Sequence, residues 1–448
     1  MAAIFYGAFY SFKGSTHRNH LLNKLSISTL PDPIQQAGIF VYTGNTEDTQ
    51  EMRFTPEGGA AMLEGFATDE GTAAYATRHP EIPYHVGGKL GLTLSVAGFG
   101  CYRVDAAITE HQAALRAALL GGINVVDTSA NYADGGSERL VGKILGELAA
   151  QGQVRRKEIV IVSKAGYLQG SNYQLSQNRK QAGRPFPETV LYDEGLEHCI
   201  HPEFLEDQIT RSLDRLQLRT LDCFLLHNPE YYLKWAQQNK LEKSAARQEY
   251  LRRIEAAFCH LEQEVKAGRI SWYGISSNTF TGSRNQFAFT PLSAIWELAQ
   301  SISLDHHFRI VEMPLNLMEP GAVTKVNQPQ ARTVLELAQE KGLTVLINRP
   351  LNAIRNDRLI RLDETVYQGE AARQAGLFRD SIAAINNDWQ DVSRLRHLAL
   401  LAVCSTPGVA SVLVGMRHER YVADVLAMLN RNCAQEINKD TWQAIGLL

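Results

Sequence analysis

The chain has 448 residues, a length that suits about three ordinary domains or one large barrel with appended segments. Its 44% hydrophobic and 21% charged residues form an ordinary globular mixture and exclude wholesale disorder. Lys and Arg number 45 against 48 Asp and Glu, a net charge of −3 that asks for neither nucleic acid nor an acidic membrane surface as partner. No apolar run reaches the roughly 18 residues of a membrane-spanning helix. Cys101, Cys199, Cys223, Cys259, Cys404 and Cys433 are scattered without a C-x-x-C pair. That spacing predicts a reduced, cytoplasmic chain with neither a disulfide framework nor a metal site.

Residues 1–31 contain no Asp or Glu and carry Lys13, Arg18 and Lys24 among several Ser and Thr. The composition is that of an organellar transit peptide. The alternative, which we adopt, is an ill-ordered extension or a chain whose start is Met62. From about residue 90 short apolar strands alternate with amphipathic helices. The predicted strands are Leu92–Ala97, Asn124–Asp127, Ile159–Lys164, Asp222–His227, Ser271–Ser276, Ile310–Pro314, Thr344–Ile347 and Ser411–Val414. Most are continuously apolar, as a parallel sheet buried on both faces requires. Leu92–Ala97 is the exception, because Thr93 and Ser95 make it alternate.

Helices fill the gaps. Leu140, Val141, Ile144, Leu145 and Leu148 form one apolar stripe, and Leu251, Ile254, Phe258, Leu261 and Val265 form another. Gly268 and Gly342 are placed to end helices in left-handed caps, and Gly121 and Gly122 stand at a similar joint before Ile123. This alternation predicts an α/β fold, a (β/α)₈ TIM barrel over residues 88–448, with residues 1–87 as an N-terminal extension of unknown structure. A Rossmann domain is excluded, because Gly98-Phe99-Gly100 is not followed by the rest of a G-x-G-x-x-G turn. Residues 165–202, 228–249 and 348–392 are long connections after strand C-termini, so they are expected as loops over the C-terminal face.

Four polar residues stand at or just beyond consecutive strand ends: Asp127, Tyr132, Lys164 and His227. A free tyrosine, with a pKa of about 10, is a poor proton donor near neutrality. An ammonium beside it lowers that pKa, so Lys164, held by Asp127, would make Tyr132 a general acid for carbonyl chemistry. His227 would orient the same carbonyl oxygen.

At these residues the chain resembles the aldo-keto reductase family. The matching stretches are GINVVDTSANYADGGSERLVGKIL (122–145), IVIVSKAG (159–166), LDCFLLHNPE (221–230), WYGISS (272–277) and SVLVGMRHERYVADVL (411–426), with GFGCYR (98–103) as the first-strand motif. The resemblance covers roughly residues 88–430. It implies a catalytic tetrad of Asp127, Tyr132, Lys164 and His227, and NADPH (NADP+) as cofactor across the barrel mouth. It places Gly100, Cys101, Tyr102 and Asp127 at the nicotinamide-ribose end. Ser276 with Ser277 or Asn278 faces the carboxamide, and Gly415, Met416, Arg417, Arg420, Tyr421 and Asp424 hold the 2′-phosphate and adenine. Two positions depart from the pattern. Glu312, counted with the cofactor site, stands where the family usually has Gln. Asn348 and Arg349 stand where it often has a Tyr that stacks on the nicotinamide.

The function implied is an NADPH-dependent oxidoreductase that moves a hydride between nicotinamide and the carbonyl of an aldehyde, ketone or aldose, with Tyr132 as general acid/base. A small-molecule carbonyl or alcohol is the expected partner. The alternatives are a cofactor-binding regulatory barrel with little turnover, and an unrelated barrel enzyme in which Lys164 forms a Schiff base.

Overall fold

A computed structural model describes residues 62–355, 358–430 and 436–448. The expectations for residues 1–31 and for a start at Met62 concern segments outside these. Residues 61–448 form one compact unit. Eight parallel strands close into a barrel: β1 (Ala97–Gly100), β2 (Val125–Asp127), β3 (Val160–Ala165), β4 (Leu221–His227), β5 (Ile270–Ser276), β6 (Phe308–Pro314), β7 (Thr344–Asn348) and β8 (Val409–Val414). The ring is sealed where β8 meets β1, with Val412, Leu413 and Val414 opposite Ala97, Gly98 and Phe99. Each strand leads to an outer helix: α1 (Thr109–Leu120), α2 (Gly136–Ala150), α3 (Pro202–Leu216), α4 (Lys243–Lys266), α5 (Leu292–Ile302), α6 (Val334–Lys341), α7 (Leu395–Cys404) and α8 (Glu419–Leu429). The fold is the (β/α)₈ barrel the alternation predicts. Among the described residues no helix is long and apolar enough to cross a membrane.

The first strand is a correction. The expected strand Leu92–Ala97 is not the first barrel stave. Thr93–Ser95 pairs antiparallel with Tyr84–Val86, and the stave is Ala97–Gly100. Alternating polar residues were the mark of this hairpin. Asn124 fixes it, accepting from Ser95 N at 2.8 Å and donating to Thr93 O at 2.8 Å. The true stave was hidden because two of its four residues are glycine, a poor strand former. At Gly98 the crowding demands it: a Cβ would stand 3.0 Å from Leu413 and 3.1 Å from Ser411 Oγ.

Residues 62–87, assigned by the sequence to the extension, carry a helix, Asp69–Arg78, that packs against the N-terminal ends of the strands. Tyr75 is buried there and donates its hydroxyl to Leu119 O at 2.6 Å. Leu90, Leu92, Leu94 and Ala67 plug the barrel from below, in one cluster with Val125, Val162 and Leu225. Asp222 at the start of β4 ties the closure together. It is fully buried and accepts from Ala67 N at 2.6 Å, Ile161 N at 2.7 Å and the Arg156 guanidinium at 2.8 Å.

The three long connections are not plain loops. The first holds the helix Gly170–Gln181 and a small antiparallel sheet of Tyr167–Leu168, Leu196–His198 and Val190–Asp193. The second holds the helix Tyr231–Gln238, and the third a hairpin of Asn352–Arg355 with Arg358–Arg361 and the helix Gly369–Ala383. All three follow strand C-termini, as expected.

Two outcomes test this closure. Asp222→Ala strands the buried Arg156 charge, so chemical denaturation should show a loss of about 3–5 kcal/mol. A chain lacking residues 1–87 loses Tyr75 and the Ala67 bond, and should melt well below a chain lacking only residues 1–61.

Candidate active site

Side chains alternate along a strand, so residues two apart share a face. Val125, Val162, Leu225, Ile310 and Leu346 pack together inside the barrel. The next inward positions on the same strands are therefore Asp127, Lys164, His227, Glu312 and Asn348. They form a polar layer at the C-terminal rim, directly above the apolar one.

Lys164 is its centre and is wholly buried. Its Nζ forms an ion pair with Asp127 Oδ1, donates to Thr128 O at 3.2 Å, and lies 3.2 Å from Glu312 Oε2. Glu312 Oε1 accepts from Ser276 Oγ and from Asn348 Nδ2, both at 2.9 Å. Burial alone would push the Lys164 ammonium down, but the carboxylates of Asp127 and Glu312 outweigh it and the net shift is upward. Asp127 moves up as well. Burial is the main cause and the Glu312 charge adds to it, and together they exceed the pull of Lys164.

Tyr132 stands over this layer in a tight turn, Tyr132–Gly135, with Ala133 and Asp134 at φ 48° and 52°. Asp134 anchors the turn, accepting from Ser171 N at 3.0 Å and Ser171 Oγ at 2.6 Å. The Lys164 ammonium lies 5.3 Å from the Tyr132 ring centroid. Tyr102 and His227 meet that ring edge-on at 5.2 and 5.8 Å. The phenolic hydroxyl has no hydrogen-bond partner among the described residues. The sequence-based expectation of a lowered tyrosine pKa is corrected here. Burial pushes the phenol up, Lys164 opposes, and the charges of Asp127 and Glu312 keep the net shift upward.

His227 Nδ1 meets Ser129 Oγ at 3.1 Å, and that hydroxyl also reaches Asn131 Oδ1 at 2.7 Å. Burial, with Lys164 and His198 nearby, holds the imidazole well below its usual range, so it is neutral. Tyr167 packs edge-on against it at 4.7 Å.

The β3 end is fixed by the motif helix. Glu138, in the first turn of α2, is buried and accepts from Ser163 Oγ at 2.5 Å and from Arg215 of α3 at 2.6 Å. Gly142 lets α2 and α3 touch, because a Cβ there would lie 2.6 Å from Leu216 O. Ser163 immediately precedes Lys164, so this network sets the lysine's position.

The structure thus brings Asp127, Tyr132, Lys164, His227, Ser276 and Glu312 together. Gly100 pairs with Asp127 on the neighbouring strand, and Tyr102 is exposed beside Tyr132. Other expected cofactor residues are committed elsewhere. Cys101 and Met416 bury their side chains in the core, leaving only backbone for a ligand. The Ser277 hydroxyl bonds with Thr290 and Thr279 at 3.0 and 3.2 Å, and Asn278 Nδ2 donates to Asn228 Oδ1 at 3.1 Å. Asp424 is ion-paired with Arg396 at 2.9 Å and His397 at 3.0 Å, so its carboxylate is spoken for. Arg417 and Arg420 are exposed, beyond Gly415 and beside Tyr421, and neither pairs with a carboxylate among the described residues.

Ser129, Tyr167 and Glu230 were not singled out in the sequence. Ser129 and Glu230 lie inside quoted motifs, in DTSANY and HNPE. Glu230 is fully buried and accepts from Asn278 N at 3.1 Å. Among the described residues no cluster of three or more His, Cys, Asp or Glu is placed to hold a metal ion.

A closed barrel with a buried Lys–carboxylate cluster beneath a tyrosine at its C-terminal rim is the architecture of a barrel enzyme. The sequence profile of the Aldo/keto reductase family matches residues 98–445, and the chain belongs to that family of oxidoreductases. The holo form of an aldo-keto reductase from Bacillus halodurans is similar in fold, with a TM-score of 0.51 at 20% identity over 81% of this chain and 95% of that one. The glycerol dehydrogenase from Gluconobacter oxydans gives a TM-score of 0.51 at 17% identity over 82% and 94%.

Proposed function

We propose that the protein is an NADPH-dependent oxidoreductase acting on the carbonyl of an aldehyde, ketone or aldose, with Tyr132 carrying the proton. The observation that carries this reading is the Tyr132 hydroxyl, unpartnered above a buried Lys164 that stays cationic. A bound nicotinamide would supply the hydride.

The residues present suit such a cofactor. Glu312 Oε2 is buried with no partner among the described residues beyond its ion pair with Lys164, and is an acceptor for a carboxamide N–H. At the other end of the mouth, Arg417 and Arg420 offer exposed planar cations for a 2′-phosphate, neither paired with a carboxylate among the described residues, with Arg420 resting on Tyr421. Asn348 cannot stack on the ring as a tyrosine would, since its amide is engaged by Glu312.

The protein's own groups then divide the work. Tyr132 donates to the substrate oxygen, because no acceptor among the described residues competes for its proton. Lys164 stabilises the phenolate left behind. Asp127 and Glu312 together keep Lys164 charged and aimed. Neutral His227, held through Nδ1 by Ser129, presents its other nitrogen to the same oxygen. Tyr102 and Tyr167 flank the site with ring edges and narrow the approach.

Tyr132→Phe keeps the ring and removes the proton, so turnover on a good carbonyl substrate should fall about 10²–10⁴-fold while the NADPH dissociation constant barely moves. Lys164→Met should slow turnover too, since the phenolate loses its cation. Parental turnover in Tyr132→Phe would place the proton elsewhere. Cofactor choice is read from Arg417→Ala and Arg420→Ala. A charge-assisted phosphate contact contributes about 1.5–3 kcal/mol, so one of them should weaken NADPH roughly ten- to a hundredfold and leave NADH nearly unchanged. Equal binding of both cofactors by the parent would overturn the preference.

A further inference from the structure

At the centre of the site one ammonium faces two carboxylates. The Asp127, Lys164 and Glu312 side chains are 6%, 0% and 3% exposed. One lysine neutralises one carboxylate. Ser276 and Asn348 give the second only neutral hydrogen bonds, both to Oε1. The other titratable groups that face the pair add no cation. Cys101, Tyr102 and Tyr132 are acids, and His227 is held neutral by burial. The layer therefore carries one negative charge more than its cations match, in a place almost wholly buried. An uncompensated buried charge is costly, and the cluster relieves it by taking up a proton. Burial and the neighbouring Glu312 accordingly push the Asp127 carboxyl up to about 8.

A nicotinamide ring is cationic when oxidised and neutral when reduced. We infer that Glu312 makes this site select the oxidised cofactor, and that NADP+ binding displaces a proton from the neighbouring Asp127. The inference rests on the proposed nicotinamide site at the rim. Its consequence favours reduction. A site that holds the oxidised form more tightly makes the bound reduced form a stronger hydride donor toward a carbonyl.

The sign of the pH dependence follows. Below the raised Asp127 pKa the cluster keeps its proton, and the cationic ring gains little over the neutral one. Above it the proton is gone and the cation is favoured. The ratio Kd(NADPH)/Kd(NADP+) should therefore rise with pH. The cofactor phosphates and Arg417 and Arg420 are common to both forms and cancel in that ratio.

The test is fluorescence titration of the full chain with NADP+ and with NADPH at about pH 6 and about pH 9. In the parent the ratio should grow on the order of tenfold over this range. In Glu312→Gln it should be smaller and nearly flat, while Glu312→Asp, which keeps the charge, should retain the dependence. A pH-independent ratio in the parent overturns the inference without any variant. So does a Glu312→Gln protein that behaves like the parent. Failure of the parent to bind either form would instead overturn the nicotinamide site itself, and the inference with it.

Discussion

Lys164 is a fully buried ammonium, and much of the upper barrel exists to make that tolerable. A lone buried cation would lose its proton or unfold the site. Here Asp127 comes from the strand on one side and Glu312 from across the barrel, and Thr128 adds a carbonyl. Neither carboxylate could reach the lysine if the staves were shifted by one residue, because the two-residue period would turn them outward. The closed ring of eight staves fixes that register, so closure and charge pairing depend on each other.

The two ends of the barrel meet their buried polar groups with different partners, and neither meets them completely, since Arg156 Nε at the lower end has no hydrogen bond among the described residues. At the lower end Asp222 takes two backbone N–H groups and a guanidinium, and Tyr75 closes on backbone carbonyls. At the upper end Glu230, Glu312, Asn348 and Arg349 each keep a buried polar atom without a hydrogen bond. Strain gathers there too. Asn228 and Arg349, directly after β4 and β7, hold φ of 51° and 53°, a region costly for residues with a side chain. Strained backbone beside several unsatisfied groups at the C-terminal rim is expected where a ligand completes the structure.

The architecture was largely legible in the sequence. Seven of the eight predicted strands overlap their barrel staves, because parallel staves buried on both faces must be continuously apolar. The eighth failed at Ala97–Gly100, where glycines demanded by packing erased the signal. Asp127, Lys164 and His227 were legible as polar residues ending apolar runs, and Tyr132 only through the resemblance. What depends on tertiary placement was not. Nothing in the sequence shows that Asp424 is claimed by Arg396 and His397, or that Cys101 and Met416 turn inward. Tyr132 shows the same gap. Proximity to Lys164 was readable, yet the opposing burial and second carboxylate appear only once β6 is seen facing β3.

The two departures from the family pattern are joined in space. Asn348 Nδ2 donates to Glu312 Oε1, so the group in place of the usual stacking tyrosine supports the group in place of the usual glutamine. A tyrosine at 348 has its only donor at the far end of a ring and could not supply that short-range amide bond from the same backbone position. A glutamine at 312 could accept the bond but would bring no charge to Lys164. The pair therefore reads as one change made in two places. Where a tyrosine would present a ring face, a buried carboxylate with its own amide donor stands instead. A tyrosine face attracts a cationic ring only through its quadrupole, whereas a carboxylate attracts it through a full charge. On the proposal above, Glu312 adds a full charge to what tells the oxidised ring from the reduced one.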